Sequence, residues 1–374
     1  MASDHDEEKN VPTTDTDDES PTVDDPSQAS FLADAGAGGP ASASAAQATV
    51  SAAESRGYRV LARRYRPKNF AELVGHEVMV RTLTNAFSSG RIAHAFILTG
   101  VRGIGKTTTA RILAMGLNCV GPDGRGGRTI DPCGVCENCV AIAEDRHVDV
   151  MEMDAASRTG VDDIREIIEG VRYRPVVGRE KVYIIDEVHM LSRNAFNALL
   201  KTLEEPPEHV RFIFATTEIR KLPLTILSRC QRFDLKRVEA DRLMAYLDEV
   251  ATAEGARVRP EALRVLARAA DGSLRDGLSL LDQAIAHGAD EIAESQIRDM
   301  LGLADAGQVY DLFQAVMGGR VGEALDQLDA AYAAGVDPTV LIRDMLELTH
   351  WLTRLKVTPS VADGAAVSEI ERTR

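Results

Sequence analysis

The run Gly100-Val101-Arg102-Gly103-Ile104-Gly105-Lys106-Thr107 follows the spacing G-x-x-x-x-G-K-[ST]. Chains with that spacing wrap their backbone around a row of phosphates. Glycines let successive N–H groups converge on an anion, and a helix starting there adds its partial positive charge. Lys106 is expected to reach the β- and γ-phosphates and Thr107 to hold Mg²⁺, with Thr108 continuing the loop into a helix. A P-loop also needs acids that order the metal shell and the attacking water. Val182-Tyr183-Ile184-Ile185-Asp186-Glu187 ends an apolar run in such a pair. Asp186 is expected to orient Mg²⁺ through its water and Glu187 to act as general base or water-positioner.

Other residues offer polar chemistry with less specific spacing. Thr216-Thr217 ends another apolar run, and Thr217 could hold the attacking water or merely cap a turn. Arg229 in Ser228-Arg229-Cys230 and Arg275 in Leu274-Arg275-Asp276 could each stabilise a developing phosphate charge. Most arginines are surface ion-pair residues, so spacing alone assigns neither. Cys133, Cys136 and Cys139 form two overlapping C-x-x-C steps, with Cys119 upstream. Four thiolates complete a closed tetrahedral Zn²⁺ site, structural rather than catalytic. A redox dithiol has no use for the third cysteine at that spacing. His147 is a competing ligand but reads as a surface residue, and Cys230 as a buried one.

These residues need a scaffold. Apolar runs at Ala95–Leu98, Val148–Met153, Val182–Ile185, Arg211–Ala215 and, more weakly, Gln231–Leu235 alternate with helical patterns. Helices are expected over Thr108–Met115, Val161–Val171 and Asn194–Leu203, the last stopped before Pro206-Pro207. That alternation predicts an α/β fold with a parallel sheet covered on both faces. From about Ala240 only helices are expected, over Asp241–Glu254, Pro260–Ala270, Leu274–His287 and Glu294–Leu301, then a helical block from about Ala306 to Leu355. No core pattern is visible over Val357–Arg374.

The 374 residues suffice for two or three domains. The formal charge of −15 is uneven: residues 1–57 carry twelve acids against Lys9 and Arg56, leaving −5 for the remainder. That first segment has too few bulky apolar residues to bury a core and reads as a disordered acidic tail. No stretch is apolar enough to span a membrane, and the N-terminus is acidic rather than signal-like, so a cytoplasmic protein is expected. Four cysteines clustered in one region fit metal ligation better than a secretory disulfide framework.

The combination resembles one family. From about Tyr58 to residue 356 the chain is similar to the gamma/tau subunits of bacterial DNA polymerase III, the AAA+ ATPases of the replicative clamp loader. Beyond the P-loop and cysteine module, the likeness lies in Leu61-Ala62-Arg63-Arg64-Tyr65-Arg66-Pro67, Asp154-Ala155-Ala156-Ser157, Ile185-Asp186-Glu187-Val188-His189-Met190-Leu191, Leu203-Glu204-Glu205-Pro206-Pro207-Glu208 and Ser228-Arg229-Cys230. The resemblance implies a RecA-like AAA+ core over 58–238 with a zinc module at 119–139, a helical lid over 239–302 and a helical collar over 303–374. It implies that Tyr65, Arg66 and Pro67 lie beside the base. Thr217 would sense the γ-phosphate, Arg275 would report from the lid, and Arg229 would act in a neighbouring subunit's site. Ser157, Arg158, Thr159 and Gly160 would precede a helix whose free N–H groups meet DNA phosphates, largely blind to sequence. The implied ligands are ATP, Mg²⁺ and structural Zn²⁺. The implied partners are the delta and delta-prime subunits, further copies, the sliding clamp and primer-template DNA, at replication forks near the nucleoid.

Three features depart from the family pattern. The gap from Cys119 to Cys133 is wide and holds Gly124-Arg125-Gly126-Gly127, which a flexible loop absorbs cheaply. The acidic tail is extra. The chain stops at Arg374, midway through the expected collar. That stop keeps alive a rival reading, a non-hydrolysing ATP-binding scaffold, although Lys106, Asp186, Glu187, Thr217, Arg229 and Arg275 are all intact. Another AAA+ machine, such as a Holliday-junction motor or an archaeal-type clamp loader, is disfavoured by the cysteine module. A zinc-dependent DNA-binding protein lacks its basic recognition helix.

Overall fold

The structure, a computed structural model, describes residues 59–287, 291–303 and 306–358. The expected tail at 1–57 and the stretch from 359 onward lie outside the described residues.

Five parallel strands form the central sheet: β1 (Ala95–Thr99), β2 (Val150–Asp154), β3 (Lys181–Asp186), β4 (Val210–Thr216) and β5 (Gln231–Asp234), in the order β2-β3-β4-β1-β5. Every residue of β1 is buried, as expected for a strand covered on both faces. Alternation splits its side chains between two cores. Phe96 and Leu98 join Leu83 of α2 (Glu77–Ser89) and Leu113 and Leu117 of α3 (Lys106–Asn118). Ala95 and Ile97 face Ile164 of α5 (Val161–Val171) and Phe196 and Leu199 of α6 (Arg193–Glu204). Full burial of each large side chain contributes roughly 1.5–3 kcal/mol. Two short helices, α1 (Leu61–Arg64) and α4 (Glu137–Ala143), precede α2 and follow α3; α7 (Leu224–Leu227) leads into β5.

Register matters for function. Thr99 pairs with Thr216 across β1 and β4, and Ile185 with Phe214 across β3 and β4. The carboxyl ends of β1, β3 and β4 therefore meet at one edge, where ligands of open α/β sheets bind.

A third apolar cluster is helical: Leu243, Leu247 and Val250 of α8 (Ala240–Ala253), Leu263 and Leu266 of α9 (Pro260–Ala269), Leu278 and Leu281 of α10 (Leu274–His287), and Ile297 of α11 (Glu294–Leu301). The helices-only expectation for this region needs correction. Arg257–Val258 (β6) and Glu291–Ile292 (β7) pair in parallel. Leu61 of α1 buries itself in this cluster, and its N–H donates to Asp282 Oδ2 at 3.2 Å. A fourth cluster joins Val309 and Leu312 of α12 (Ala306–Met317), Ala331 of α13 (Val321–Ala333), and Leu341 and Leu348 of α14 (Pro338–Val357). Asp337 caps α14 by accepting the Thr339 N–H at 2.7 Å, with Pro338 at the first helical position. Among the described residues no helix is long and apolar enough to cross a membrane.

Candidate nucleotide site and candidate metal centre

β1 delivers the glycine loop to the sheet edge. Gly100 has φ +147, and a Cβ there would lie 2.3 Å from Ile104 Cδ1 and 2.5 Å from the Leu235 carbonyl oxygen. Only glycine fits. The buried Lys106 folds over the loop and donates from Nζ to the carbonyls of Gly100 (3.0 Å) and Val101 (2.9 Å). Burial pushes its pKa down, while the charges of Glu187 and Asp186 pull the other way. No acid occupies the first turn of α3, so its N-terminus is left to an anion.

Thr107 Oγ1 donates to Asp186 Oδ2 at 2.6 Å, and the Glu187 N–H donates to Asp186 Oδ1 at 2.9 Å. A hydroxyl and a carboxylate so paired beside a phosphate loop are the donor set a hard cation such as Mg²⁺ takes. Glu187 itself sits in the left-handed region (φ +45, ψ 42), sparsely populated for a non-glycine residue. Its Oε2 accepts from Thr217 Oγ1 at 2.9 Å and from the Thr217 N–H at 3.2 Å. The structure thus brings Lys106, Thr107, Asp186, Glu187 and Thr217 to one edge.

The lid reaches the same edge. Arg275 donates its backbone N–H to the Gly103 carbonyl at 3.1 Å, and a Cβ on Gly103 would lie 2.0 Å from Ser273 Oγ. Arg66 feels the neighbouring charges of Arg111, Arg275 and Arg63. Desolvation by the surrounding protein first, then this crowding, lowers its pKa, with Glu152 opposing. A bound polyanion relieves such crowding. Tyr65 turns toward the lid: its hydroxyl donates to Glu254, which holds its pKa above the usual value, and its carbonyl accepts from Tyr246 Oη at 3.3 Å. Val101 and Pro67 are half-buried, Arg102 is exposed, and Ile104 and Thr108 are buried.

Two expected site elements lie apart. Arg229 donates to Glu204 Oε1 (2.6 Å) and to the Thr225 carbonyl (2.8 Å), with none of the P-loop residues among its partners. Ser157 to Gly160 are exposed ahead of α5, but the expectation of free N–H groups there is met only in part. The Gly160 N–H is taken by Asp163 Oδ2 at 3.2 Å, and Asp162 and Asp163 place two carboxylates in the first turn.

The four cysteines converge as the sequence predicts. The Sγ atoms of Cys119, Cys133, Cys136 and Cys139 all lie within 4.8 Å of one another. A tetrahedral ion with bonds of about 2.3 Å needs sulfurs about 3.8 Å apart, inside that bound. Backbone N–H groups of Gly121 and Cys133 point at Cys119 Sγ (both 3.4 Å), and that of Cys136 at Cys133 Sγ (3.3 Å). Donors aimed at sulfur favour thiolates, so the set fits a soft divalent ion.

His147 is a correction. It is buried rather than at the surface, and it lies outside the thiol set. Its Nδ1 accepts the Asp149 N–H at 3.1 Å, and Nε2 faces Asn138 Oδ1 at 3.3 Å. Burial pushes its pKa down, in keeping with a neutral ring. Cys230 is half-buried against the α5–α6 core, and burial pushes its thiol up to about 12.

The sequence reading missed residues that join these parts. His76 Nε2 donates to the Ile104 carbonyl at 3.0 Å, pinning the P-loop. His189 lies against Glu187. Asn118, Asn138 and Arg179 cap the far end of α3. His189 lies in the motif after the acid pair but was given no role there, and the others belong to no periodic or spaced pattern, so only the fold exposes what they do.

Comparison with known proteins decides the family. Residues 75–239 match the family model described as DNA polymerase III, delta subunit. Residues 242–290 match the DNA polymerase III clamp loader subunit ATPase lid domain, and residues 292–374 match DNA polymerase III subunits gamma and tau domain III. The DNA polymerase III subunit gamma of Buchnera aphidicola subsp. Acyrthosiphon pisum is 41% identical over 304 residues, covering 81% of this chain and 83% of that protein. The chain belongs to the DNA polymerase III gamma/tau family. Within that family the tau subunits of Salmonella typhimurium and Escherichia coli K12 are each 47% identical, over 84% and 83% of this chain. The chain spans about half of their length, 48% in each case. The Thermotoga maritima RuvB branch migration motor is similar in structure, with a TM-score of 0.48 and 18% identity over 68% of this chain and 80% of that one. The gamma/tau chain has a five-stranded parallel α/β core, a region that matches an ATPase lid domain and a C-terminal helical region.

Proposed function

We propose that this chain is the ATPase motor subunit of a bacterial replicative clamp loader, using ATP binding and hydrolysis to place the sliding clamp on primed DNA. One observation carries the reading: Thr107 with Asp186 and Thr217 with Glu187 form two hydrogen-bonded pairs beside Lys106. The first pair suits Mg²⁺, which when bound would neutralise charge between the phosphates. The second suits a polarised water. Lys106 would leave its two carbonyl partners for the β- and γ-phosphates. Tyr65, Arg66 and Pro67 would border the base, and Arg275 would report nucleotide to the lid.

Arg229 would serve a neighbouring copy's site, in keeping with its partners Glu204 and Thr225 rather than P-loop residues, and Glu204 would release it on assembly. Ser157, Arg158, Thr159 and Gly160 would meet DNA phosphates inside a ring formed with delta, delta-prime and further copies. The four cysteines would hold structural Zn²⁺. The proposed domain limits are 58–238, 239–302 and 303–374, and the proposed location is the cytoplasm at replication forks.

The test is ATP turnover with the other clamp-loader subunits, with and without clamp plus primed DNA, alongside Arg229→Ala. Stimulation by clamp and DNA that Arg229→Ala abolishes, with nucleotide binding intact, is the expected result. Nucleotide binding without stimulated turnover would instead favour the scaffold reading.

A further inference from the structure

The geometry points to His189 as a positioning residue for Glu187, a role that rests on the catalytic reading of Glu187 above. His189 sits in a short 3-10 turn (Val188–Met190) directly after the acid pair, with its side chain only 6% exposed. Nδ1 lies 3.4 Å from Glu187 Oε2 and 3.0 Å from Thr216 Oγ1. Nε2 lies 3.6 Å from Glu218 Oε1, a carboxylate that Lys221 Nζ also contacts at 2.7 Å. Carboxylates flank both ring nitrogens, Glu187 at Nδ1 and Glu218 at Nε2, and the ring is wedged between the two acids with Thr216 as its hydrogen-bond partner.

The Thr217 hydroxyl and N–H both donate to one carboxylate oxygen of Glu187, and the imidazole packs against that same oxygen at 3.4 Å. Oε1 has no hydrogen-bond donor among the described residues and stays available to water. The backbone of Glu187 explains the need. A left-handed backbone at a non-glycine residue persists only where surrounding contacts hold it, and the groups around the Glu187 side chain supply them. His189 also links two strand ends. Thr216 Oγ1, its partner at the end of β4, accepts the Glu218 N–H at 3.0 Å, so the turn after β4 and the acid after β3 are held through one ring. A shift of the Thr216-Thr217-Glu218 turn would therefore move Glu187 with it.

The test uses the full chain assembled with the other clamp-loader subunits, clamp and primed DNA, in excess over ATP, under conditions where the wild type turns over, reading the single-turnover rate constant and, separately, ATP affinity. His189→Ala is expected to slow hydrolysis about 10- to 100-fold, the scale of a misplaced catalytic group, with affinity within about twofold. His189→Asn keeps a donor amide and is expected to recover most of the rate, which a purely structural defect would not permit. The double variant with Glu187→Gln is expected to be no slower than Glu187→Gln alone, because His189 acts through that carboxylate. Wild-type turnover in His189→Ala, additive losses in the double variant, or a change confined to affinity would each overturn the role. Equal turnover in wild type and Glu187→Gln would instead remove the catalytic reading of Glu187, and the inference with it.

Discussion

At its N-terminus α3 opens onto the phosphate loop; at its C-terminus it runs into Cys119 and the thiol cluster. The first four N–H groups and last four carbonyls of any helix lack partners within it. Here the two ends resolve that shortage in opposite ways. The N-terminal end carries no acid and offers Lys106, Thr107 and its own dipole to an anion. At the other end every carbonyl from Met115 to Cys119 is taken by the protein. The donors are the Cys119 N–H (2.7 Å), the Thr129 N–H (3.0 Å), Arg179 Nη1 (2.9 Å), Asn138 Nδ2 (2.8 Å) and Arg179 Nη2 (2.9 Å) in turn. One end is built to exchange a ligand and the other to stay closed. The cysteine module thus acts as a cap that fixes the helix whose opposite end bears the glycine loop.

Loss of the open end should give the largest effect. Lys106→Ala is expected to weaken ATP binding at least about 100-fold, since charge-assisted bonds to two phosphates contribute roughly 1.5–3 kcal/mol each. The thermal midpoint should not fall, because burial of the ammonium outweighs the pull of Glu187 and Asp186 on it. Isothermal titration with ATP and a melting curve measure both quantities. A large loss of stability with nucleotide binding intact would break the distinction between the two ends.

The closed end should respond the other way round. Removing bound metal with a strong zinc chelator, or replacing Cys139 by serine, is expected to cost about 3 kcal/mol or more of stability. In a domain of this size that is roughly 6–12 °C in midpoint. ATP affinity should drop only as far as α3 loses its anchor, by about tenfold or less. A chelated chain that melts like the untreated one would show that hydrogen bonds alone hold the cap.

The seat of that cap contains an acid-sensitive element. Asp149 is buried, which by itself would raise its pKa. The N–H groups of Gly178, Val176 and Val177 outweigh this and hold its carboxyl below the usual range. A carboxyl depressed in the folded state stabilises the fold above its unfolded value near 3.9, and that contribution fades as pH falls through the folded value. Asp149→Asn is expected to cost about 1–3 kcal/mol at neutral pH and to flatten the loss of stability below about pH 4. Denaturant titrations at pH 7 and pH 3.5 check this: an unchanged acid slope would assign the sensitivity elsewhere.

The open end was legible in the sequence and the closed end only half so. Glycines at fixed spacing, a lysine and a strand-end acid pair announce a phosphate site because its chemistry tolerates few other residues. The helices at Val161–Val171 and Leu274–His287 follow from apolar spacing and appear with those limits. Cysteine spacing gave the thiol cluster, but nothing in the sequence revealed its connection to the core. Asn118 accepts the N–H groups of Arg179 and Glu180, and Asn138 bridges Asn118 to His147. Asparagines carry no periodic signal, and a lone histidine reads as surface until its neighbours from other segments are in place. The β6–β7 pair was invisible for another reason: two residues per strand are too few to show alternation.

A second helix N-terminus sharpens the contrast at the smallest scale. α5 begins after an exposed segment, Ser157 to Gly160, that the family likeness assigns to phosphate, yet its first turn bears Asp162 and Asp163. Asp163 occupies the Gly160 N–H, whereas Asp162 is exposed and pairs with Arg165 at 2.7 Å. A carboxylate in a first turn favours the helix by about 0.3–1 kcal/mol, and the same charge opposes an incoming phosphate. Asp162→Asn is therefore expected to lower stability by about 0.5 kcal/mol while raising affinity for duplex DNA about two- to fivefold at low salt. The gain should shrink as salt rises, since it comes from exposed charge. Fluorescence anisotropy with labelled DNA at two salt concentrations measures it. Unchanged affinity at both would mean that DNA phosphates do not approach this turn, leaving α3 as the helix start in this pair that meets phosphate.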